Sequence, residues 1–247
     1  MNEDKNIKTT VSYSSKHSAE LNDYHIPDID GDEVFYGMFL KSRPHTMTGK
    51  ESLYALYKAV QYVILRNLEG AFVECGVWKG GSSLLAALAF RHFGRSEREL
   101  WLYDTFEGMS QPTDIDVDVS GVSARQYISD YSDRGKWCYA GIDSVEALFK
   151  KFDFLSNARL IPGDVLETLK QYRPEKISIL RLDTDWYEST KFELEQLYER
   201  LVPNGVLIID DYGHWKGSRL AVDEFFVNHP NIYLHRVDPA VRLAIKS

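Results

Sequence analysis

Four aspartates in two short stretches set the chemical question: "ILRLDTDWYEST", Ile179 to Thr190, and "LIIDDYG", Leu207 to Gly213. Each stretch is an apolar run that reads as a buried strand and ends in paired acids, Asp183 with Asp185 and Asp210 with Asp211. Buried carboxylates are costly unless something positive faces them. Ligands of a parallel α/β sheet sit just beyond the carboxyl ends of its strands, so neighbouring strands ending this way bring the four acids together. Oxygen ligands without Cys or clustered His suit a hard cation, Mg²⁺ first, with Mn²⁺ or Ca²⁺ as alternatives. The expected ligands are Asp183, Asp210 and Asp211; the alternative is that one or two of them cap a helix or face water. Asp185 then has the task of a base, taking the proton of a substrate hydroxyl. His214, after "DDYG", is the rival base or a substrate contact.

A second group of residues points to the other reactant. "FVECGVWKGGSS" places Gly76, Gly80 and Gly81 after an expected strand and before an expected helix, where glycines let the backbone turn tightly and approach a ligand. The G-x-x-x-G-G spacing is neither the dinucleotide fingerprint nor a P-loop. Glu74, just before the first glycine, favours a cationic ligand group over a pyrophosphate. Ser82 belongs to the same turn. Asp104 closes the next expected strand and is placed to accept hydrogen bonds from a ribose diol. Carboxylates at strand ends with a glycine turn suggest S-adenosylmethionine, whose sulfonium and ammonium are positive.

The elements that must position these groups follow from hydrophobic period. "TGKESLYALYKAVQYVILRN" is an amphipathic helix, with Thr48 or Ser52 to cap its start. Strands are expected at "GAFVECG", "ELWLYDTF", "ARLIPGD", "ISILRLD" and "GVLIID", and helices at "WKGGSSLLAALAFRHFG", "SVEALFKKFDF" and "YESTKFELEQLYERL". Strands alternating with helices imply an α/β fold, a mostly parallel sheet with helices on both faces. "IYLHRVD" and "VRLAIKS", joined by a short Pro-containing turn, close it as a C-terminal antiparallel hairpin. Residues from about 22 to 43 show no clear period. Glu107 to Gly141 is long, polar and turn-rich, which marks a lid, a binding loop or disorder. Its aromatics Tyr127, Tyr131, Trp137 and Tyr139 suit stacking on a sugar face or a ring. The expected division is therefore an N-terminal arm and substrate-side extension at 1–43, and a catalytic domain at 44–247 with a lid or insertion at about 107–141.

Composition narrows the class. A chain of 247 residues, 44% hydrophobic, fills a sizeable core. A net charge of −8 without a dense Lys/Arg run argues against a nucleic-acid surface. Two cysteines exclude a disulfide framework. No apolar stretch is long enough to span a membrane and no secretory h-region is present, so the expectation is a cytoplasmic protein.

Taken in order, "RPHTMTGKESLYALYKAV", "ECGVWKGGSS", "YDTFEGM", "LRLDTDWYEST" and "PNGVLIIDDYG" resemble the macrocin O-methyltransferase (TylF-type) family, from about Arg43 to Phe226. The resemblance implies a class I methyltransferase fold, S-adenosylmethionine as donor, a divalent metal (usually Mg²⁺), a sugar hydroxyl as acceptor, and a dimer or higher oligomer. It implies Asp183, Asp210 and Asp211 as metal ligands, Asp185 as base, and Glu74, Gly76 and Asp104 in the donor site, with Gly80 and Ser82 of the same turn. The chain departs from the family at "DTDWYEST", where relatives often carry "DGDLYEST" and Trp186 is bulkier, and at "PGDVLETL". There Asp164 either meets the adenine amino group or caps a helix.

Three further readings compete. A catechol-like phenol would use similar metal logic. Hydride transfer with a nicotinamide is disfavoured by the glycine spacing and the acids. A catalytically silent donor-binding protein would not need four aspartates.

Overall fold

The computed structural model describes residues 25–132 and 137–247, and side chains outside 131–136. The first 24 residues of the expected arm, and the Tyr131 side chain, lie outside that description. Seven strands form one sheet: β1 (Ala71–Cys75), β2 (Leu100–Asp104), β3 (Ala158–Pro162), β4 (Ile177–Leu182), β5 (Leu201–Ile209), β6 (His235–Arg236) and β7 (Arg242–Ile245). The order across the sheet is β3-β2-β1-β4-β5-β7-β6. The first five are parallel, β7 runs antiparallel to β5, and β6 antiparallel to β7. The expected fold class is what the chain adopts.

Nine α-helices lie among the described residues: α1 (Pro27–Asp30), α2 (Glu33–Ser42), α3 (Lys50–Leu65), α4 (Gly81–His92), α5 (Ala124–Ser132), α6 (Ile142–Lys151), α7 (Val165–Gln171), α8 (Tyr187–Leu197) and α9 (Lys216–Val227). None is long and apolar enough to cross a membrane. Every residue of β1 and β4 is buried, because helices cover both faces of these central strands. Phe72, Leu102, Ile179 and Ile208 pack one face against α2, α3, α4 and α6. Val73, Cys75, Leu180 and Ile209 pack the other against α7, α8 and α9.

Three expectations are refined. Residues 25–43, where no period was legible, hold α1 and α2. Phe35, Met38 and Phe39 of α2 enter the core at helical spacing. Exposed Val34 and Leu40 mask that stripe in the sequence. Neither Thr48 nor Ser52 caps α3, whose N-cap is Gly49 without a side-chain bond. Both hydroxyls are committed elsewhere, Ser52 donating to Asp238 at 2.5 Å and Thr48 accepting from Arg181 at 2.9 Å.

The segment from 107 to 141 contains α5, and its first half is built onto the starts of two helices. Fully buried Asp116 accepts from Thr113 N and Oγ1 and, at 2.8 Å, from the Tyr187 N–H that opens α8. Asp118 forms a β-bridge with Trp215, and Lys216 N at the start of α9 donates to the Val117 carbonyl. Burial raises the Asp118 carboxyl, but hydrogen bonds from Ser120, Tyr127 and Val122 outweigh it and hold it at about 2. This half of the segment is a wall fastened to the fold.

Candidate active site

β4 and β5 are adjacent, parallel and in register at Leu182 and Ile209, so the residues that follow, Asp183 and Asp210, emerge side by side. The Asp183 N–H donates to the Cys75 carbonyl and the Asp210 N–H to the Leu182 carbonyl, which continues the ladder to the sheet edge. Between them lies a residue that the spacing of acids does not reveal. Arg181, 1% exposed and one residue before the end of β4, donates from Nη1 to Glu74 and Asp183, both at 2.6 Å. Its Nη2 donates to Asp210 at 2.5 Å and to Thr48 at 2.9 Å. The signal was available: a lone arginine in "ISILRLD" is a charge in a buried strand and requires partners.

The chain then reverses sharply. Asp185 has φ of 69°, a left-handed conformation that aspartate tolerates better than most residues, and its N–H donates to Asp211 Oδ2 at 3.2 Å. Thr184 Oγ1 donates to Glu193, buried in α8, at 2.9 Å and holds the turn. One carboxylate oxygen each of Asp183, Asp185 and Asp211 lies within 4.8 Å of the others. Asp210 lines the same cleft but has Oδ1 engaged by Arg181. The tight trio thus contains Asp185 where the sequence suggested Asp210.

Crowding alters these acids. Burial, and then the charges of Asp183 and Asp210, push the Asp185 carboxyl up to about 7 against an opposing hydrogen bond from Asp211. Burial also raises Asp183, opposed by Arg181 and assisted by Asp210 and Asp211. Asp211 is raised by burial and then by Asp185.

The glycine turn abuts the acids. Gly76 has φ of 86°, and a Cβ there would lie 1.8 Å from the Asp183 carbonyl oxygen. The variant Gly76→Ala is therefore expected to lower Tm by about 5–10 °C and to weaken any ligand of this turn. Unchanged melting in a thermal-shift assay would contradict that role. Gly80, φ 82°, is the N-cap of α4 and rests on Val145 and Phe149. Ser82 donates to Glu74 Oε1 at 2.6 Å, and Ser83 donates to Glu74 Oε2. Glu74, fully buried, thus faces Arg181 and two serines beneath the cleft. Asp104 Oδ2 accepts from the N–H groups of Val77 and Trp78, both at 2.8 Å, and Oδ1 from Phe106 at 2.7 Å. Its first task is to hold the glycine turn, with Trp78 at φ of 47°. Asp164 caps α7 by accepting from Leu166 at 2.9 Å, while also lining a cleft.

Two clefts meet at the acids. One is lined by Gly76, Tyr103, Asp104, Met109, Gly163 and Asp164. The other is lined by His45, Thr48, Ser82, Asp210, Asp211 and His214. Met47, Trp78, Cys138, Asp183 and Asp185 belong to both, so the acids stand at the junction. On the second cleft, Tyr127 stacks on Trp137 at 5.7 Å between centroids. Trp215 meets Tyr127, Trp137 and, at 5.0 Å, Trp186 edge-on. His214 sets its ring against Trp215 at 4.9 Å, and its N–H donates to the Asp211 carbonyl. Trp78, Cys138 and Trp215 carry no spacing signal in the sequence. They reach the site through left-handed turns or the inserted wall.

Comparison with known proteins places this geometry. The family described as Macrocin-O-methyltransferase (TylF) matches residues 2–239. The 8-demethyl-8-(2,3-dimethoxy-alpha-L-rhamnosyl)-tetracenomycin-C 4'-O-methyltransferase of Streptomyces olivaceus is 34% identical over 184 residues, 74% of this chain and 68% of that protein. The demethyldecarbamoylnovobiocin O-methyltransferase of Streptomyces niveus is 31% identical over 182 residues, 73% of this chain and 67% of its own. The solved structure of the O-methyltransferase NovP superposes with a TM-score of 0.71 at 28% identity, covering 82% of each chain.

Proposed function

This chain belongs to the macrocin O-methyltransferase (TylF) family, and on that premise we propose that it carries a methyl group from S-adenosylmethionine to a sugar hydroxyl with the help of a divalent cation. The observation that carries the reading is the meeting of two clefts at Asp183 and Asp185. The cleft with Gly76, Asp104 and Asp164 takes the donor. Asp104 Oδ2 is filled by two backbone N–H groups, while Oδ1 accepts from Phe106 N–H and only at 3.5 Å from the Thr105 hydroxyl, so Oδ1 is where it would take a ribose hydroxyl. Glu74 supports the turn from below. The cleft with the aromatic wall takes the acceptor, and the half-buried Tyr127 and Trp137 line it, backed by the buried Trp215.

The acids fit a hard cation. Asp183 and Asp211 each place a carboxylate oxygen within 4.8 Å of the other and of Asp185, and oxygens without nitrogen or sulfur are the donors that Mg²⁺ prefers. Asp183 and Asp211 would hold it, with Asp210 beside them, and the bound cation would lower the pKa of a hydroxyl brought against it. Asp185 accepts the hydroxyl proton. The oxygen forms its bond to the methyl carbon as the carbon–sulfur bond breaks, and sulfur keeps that electron pair as a neutral thioether. In-line placement of oxygen, carbon and sulfur accounts for most of the remaining work. His214, 4.9 Å from Trp215 between ring centroids, is placed to contact the acceptor.

Calorimetry tests the reading directly. Titration of S-adenosylmethionine into the wild-type protein is expected to give saturable heat, and Mg²⁺ a second signal that is lost in Asp211→Ala while donor heat persists. No donor heat with or without Mg²⁺ would overturn the reading.

A further inference from the structure

We infer that Arg181 is a positioning residue that orients the cation-holding carboxylates and ties them to the strap at Thr48. The inference rests on the functional reading above, but the observations behind it are separate. A buried strand gains nothing in stability from an arginine that an apolar residue would not match, because desolvation offsets most of the attraction. Here the guanidinium makes four contacts, and all four partners belong to the site or its immediate support. Nη1 takes one oxygen each of Glu74 and Asp183, and Nη2 one oxygen of Asp210 and the Thr48 hydroxyl.

The consequence is directional. Asp183 Oδ2 and Asp210 Oδ1 are held by a rigid fork, so each side chain has a fixed rotation and presents its second oxygen to the cleft. Arg181 is also the one cation in ion-pair contact with these acids among the described residues. It neutralises one charge and leaves the excess for an exchangeable divalent ion. Through Thr48 it reaches the strap of His45, Thr46, Met47 and Thr48 that borders the acceptor cleft. A lysine would keep the charge and lose the fork.

The test compares Arg181→Lys, Thr48→Val and the wild type, using Mn²⁺ followed by electron paramagnetic resonance, donor affinity by calorimetry, and Tm. Arg181→Lys is expected to weaken Mn²⁺ binding by about tenfold or more, and Thr48→Val by about threefold to fivefold, with donor affinity within about threefold in both. Thr48→Val leaves the buried charges intact, so it reports even if Arg181→Lys fails to fold. A merely structural role would lower Tm and leave Mn²⁺ affinity unchanged below the transition, which would overturn the inference. Unchanged Mn²⁺ affinity in Thr48→Val, beside a wild type that binds Mn²⁺, would also overturn it alone. A wild type that binds neither Mn²⁺ nor donor would overturn the functional reading and this inference together.

Discussion

Replacing Asp185 with asparagine is expected to lower turnover by about two orders of magnitude or more, with donor affinity within a few-fold of the wild type. The amide keeps the size of the side chain and removes its ability to take a proton. The left-handed turn survives, because asparagine tolerates a φ of 69° as well as aspartate does. The close trio of Asp183, Asp185 and Asp211 gives the experiment a second edge. If Asp185 is the base, Asp185→Asn binds Mg²⁺ nearly as the wild type does. If Asp185 is instead a ligand, cation affinity falls along with turnover. Wild-type turnover in Asp185→Asn would remove it from both roles. The pH profile adds an independent reading. A base whose carboxyl is pushed up to about 7 loses activity as pH falls through that value, and a cation beside it moves the limb to lower pH.

The second large effect is on stability. Burial and its acidic neighbours push the Asp185 carboxyl up to about 7 in the folded protein, against an ordinary aspartate value of 3.8 when unfolded. Between those values the folded state binds more protons, so its stabilisation is complete below the unfolded value and is lost as pH rises through about 7. The difference is worth at most about 4 kcal/mol, a large share of the total for a domain of this kind. Asp183 and Asp211 are shifted in the same direction. His45, lowered by burial, opposes this trend below the ordinary histidine value of 6.5, and Asp118, held at about 2, acts only in strong acid. Without divalent ions, Tm is therefore expected to fall between about pH 5 and pH 7.5 and to level off above, and Mg²⁺ to raise it more at pH 7.5. The slope should flatten in Asp185→Asn. A melting temperature that climbs over this interval, or an equal Mg²⁺ effect at both ends, would contradict the account.

Much of this was legible because sequence period reports burial. β1, β2, β3, β4 and β5 each stand out as apolar runs, and strand ends in an α/β sheet are where ligands go. That logic brought Asp183, Asp185, Asp210 and Asp211 to one place. It says less where a side chain's partner, and not its position, decides its task. Asp104 and Asp164 lie at the expected strand ends, yet their oxygens are engaged by Val77, Trp78, Phe106 and Leu166 N–H groups. Glu74 precedes the glycine turn but looks inward to Arg181. The wall from 113 to 127 is written in hydrogen bonds of the Asp116 carboxylate and the Val117 carbonyl to the starts of distant helices, which no local period records. The α2 stripe was masked by apolar neighbours that remain exposed.

The pairing of Glu74 with Arg181 also bears on how the sheet assembles. Those two residues are register partners across β1 and β4, strands whose neighbours on both faces are apolar. Such strands have no hydrophobic–polar alternation to tell one alignment from the next. A slip of one residue would turn Arg181 into the apolar layer of Leu194, Leu197 and Val222, with no acid to meet it. A slip of two would restore its face but carry it roughly 7 Å along the strand from Glu74. Either misalignment strands a charge in the interior, at a cost of several kcal/mol. The arginine that orients the acids is thus also the mark by which β4 finds its place beside β1.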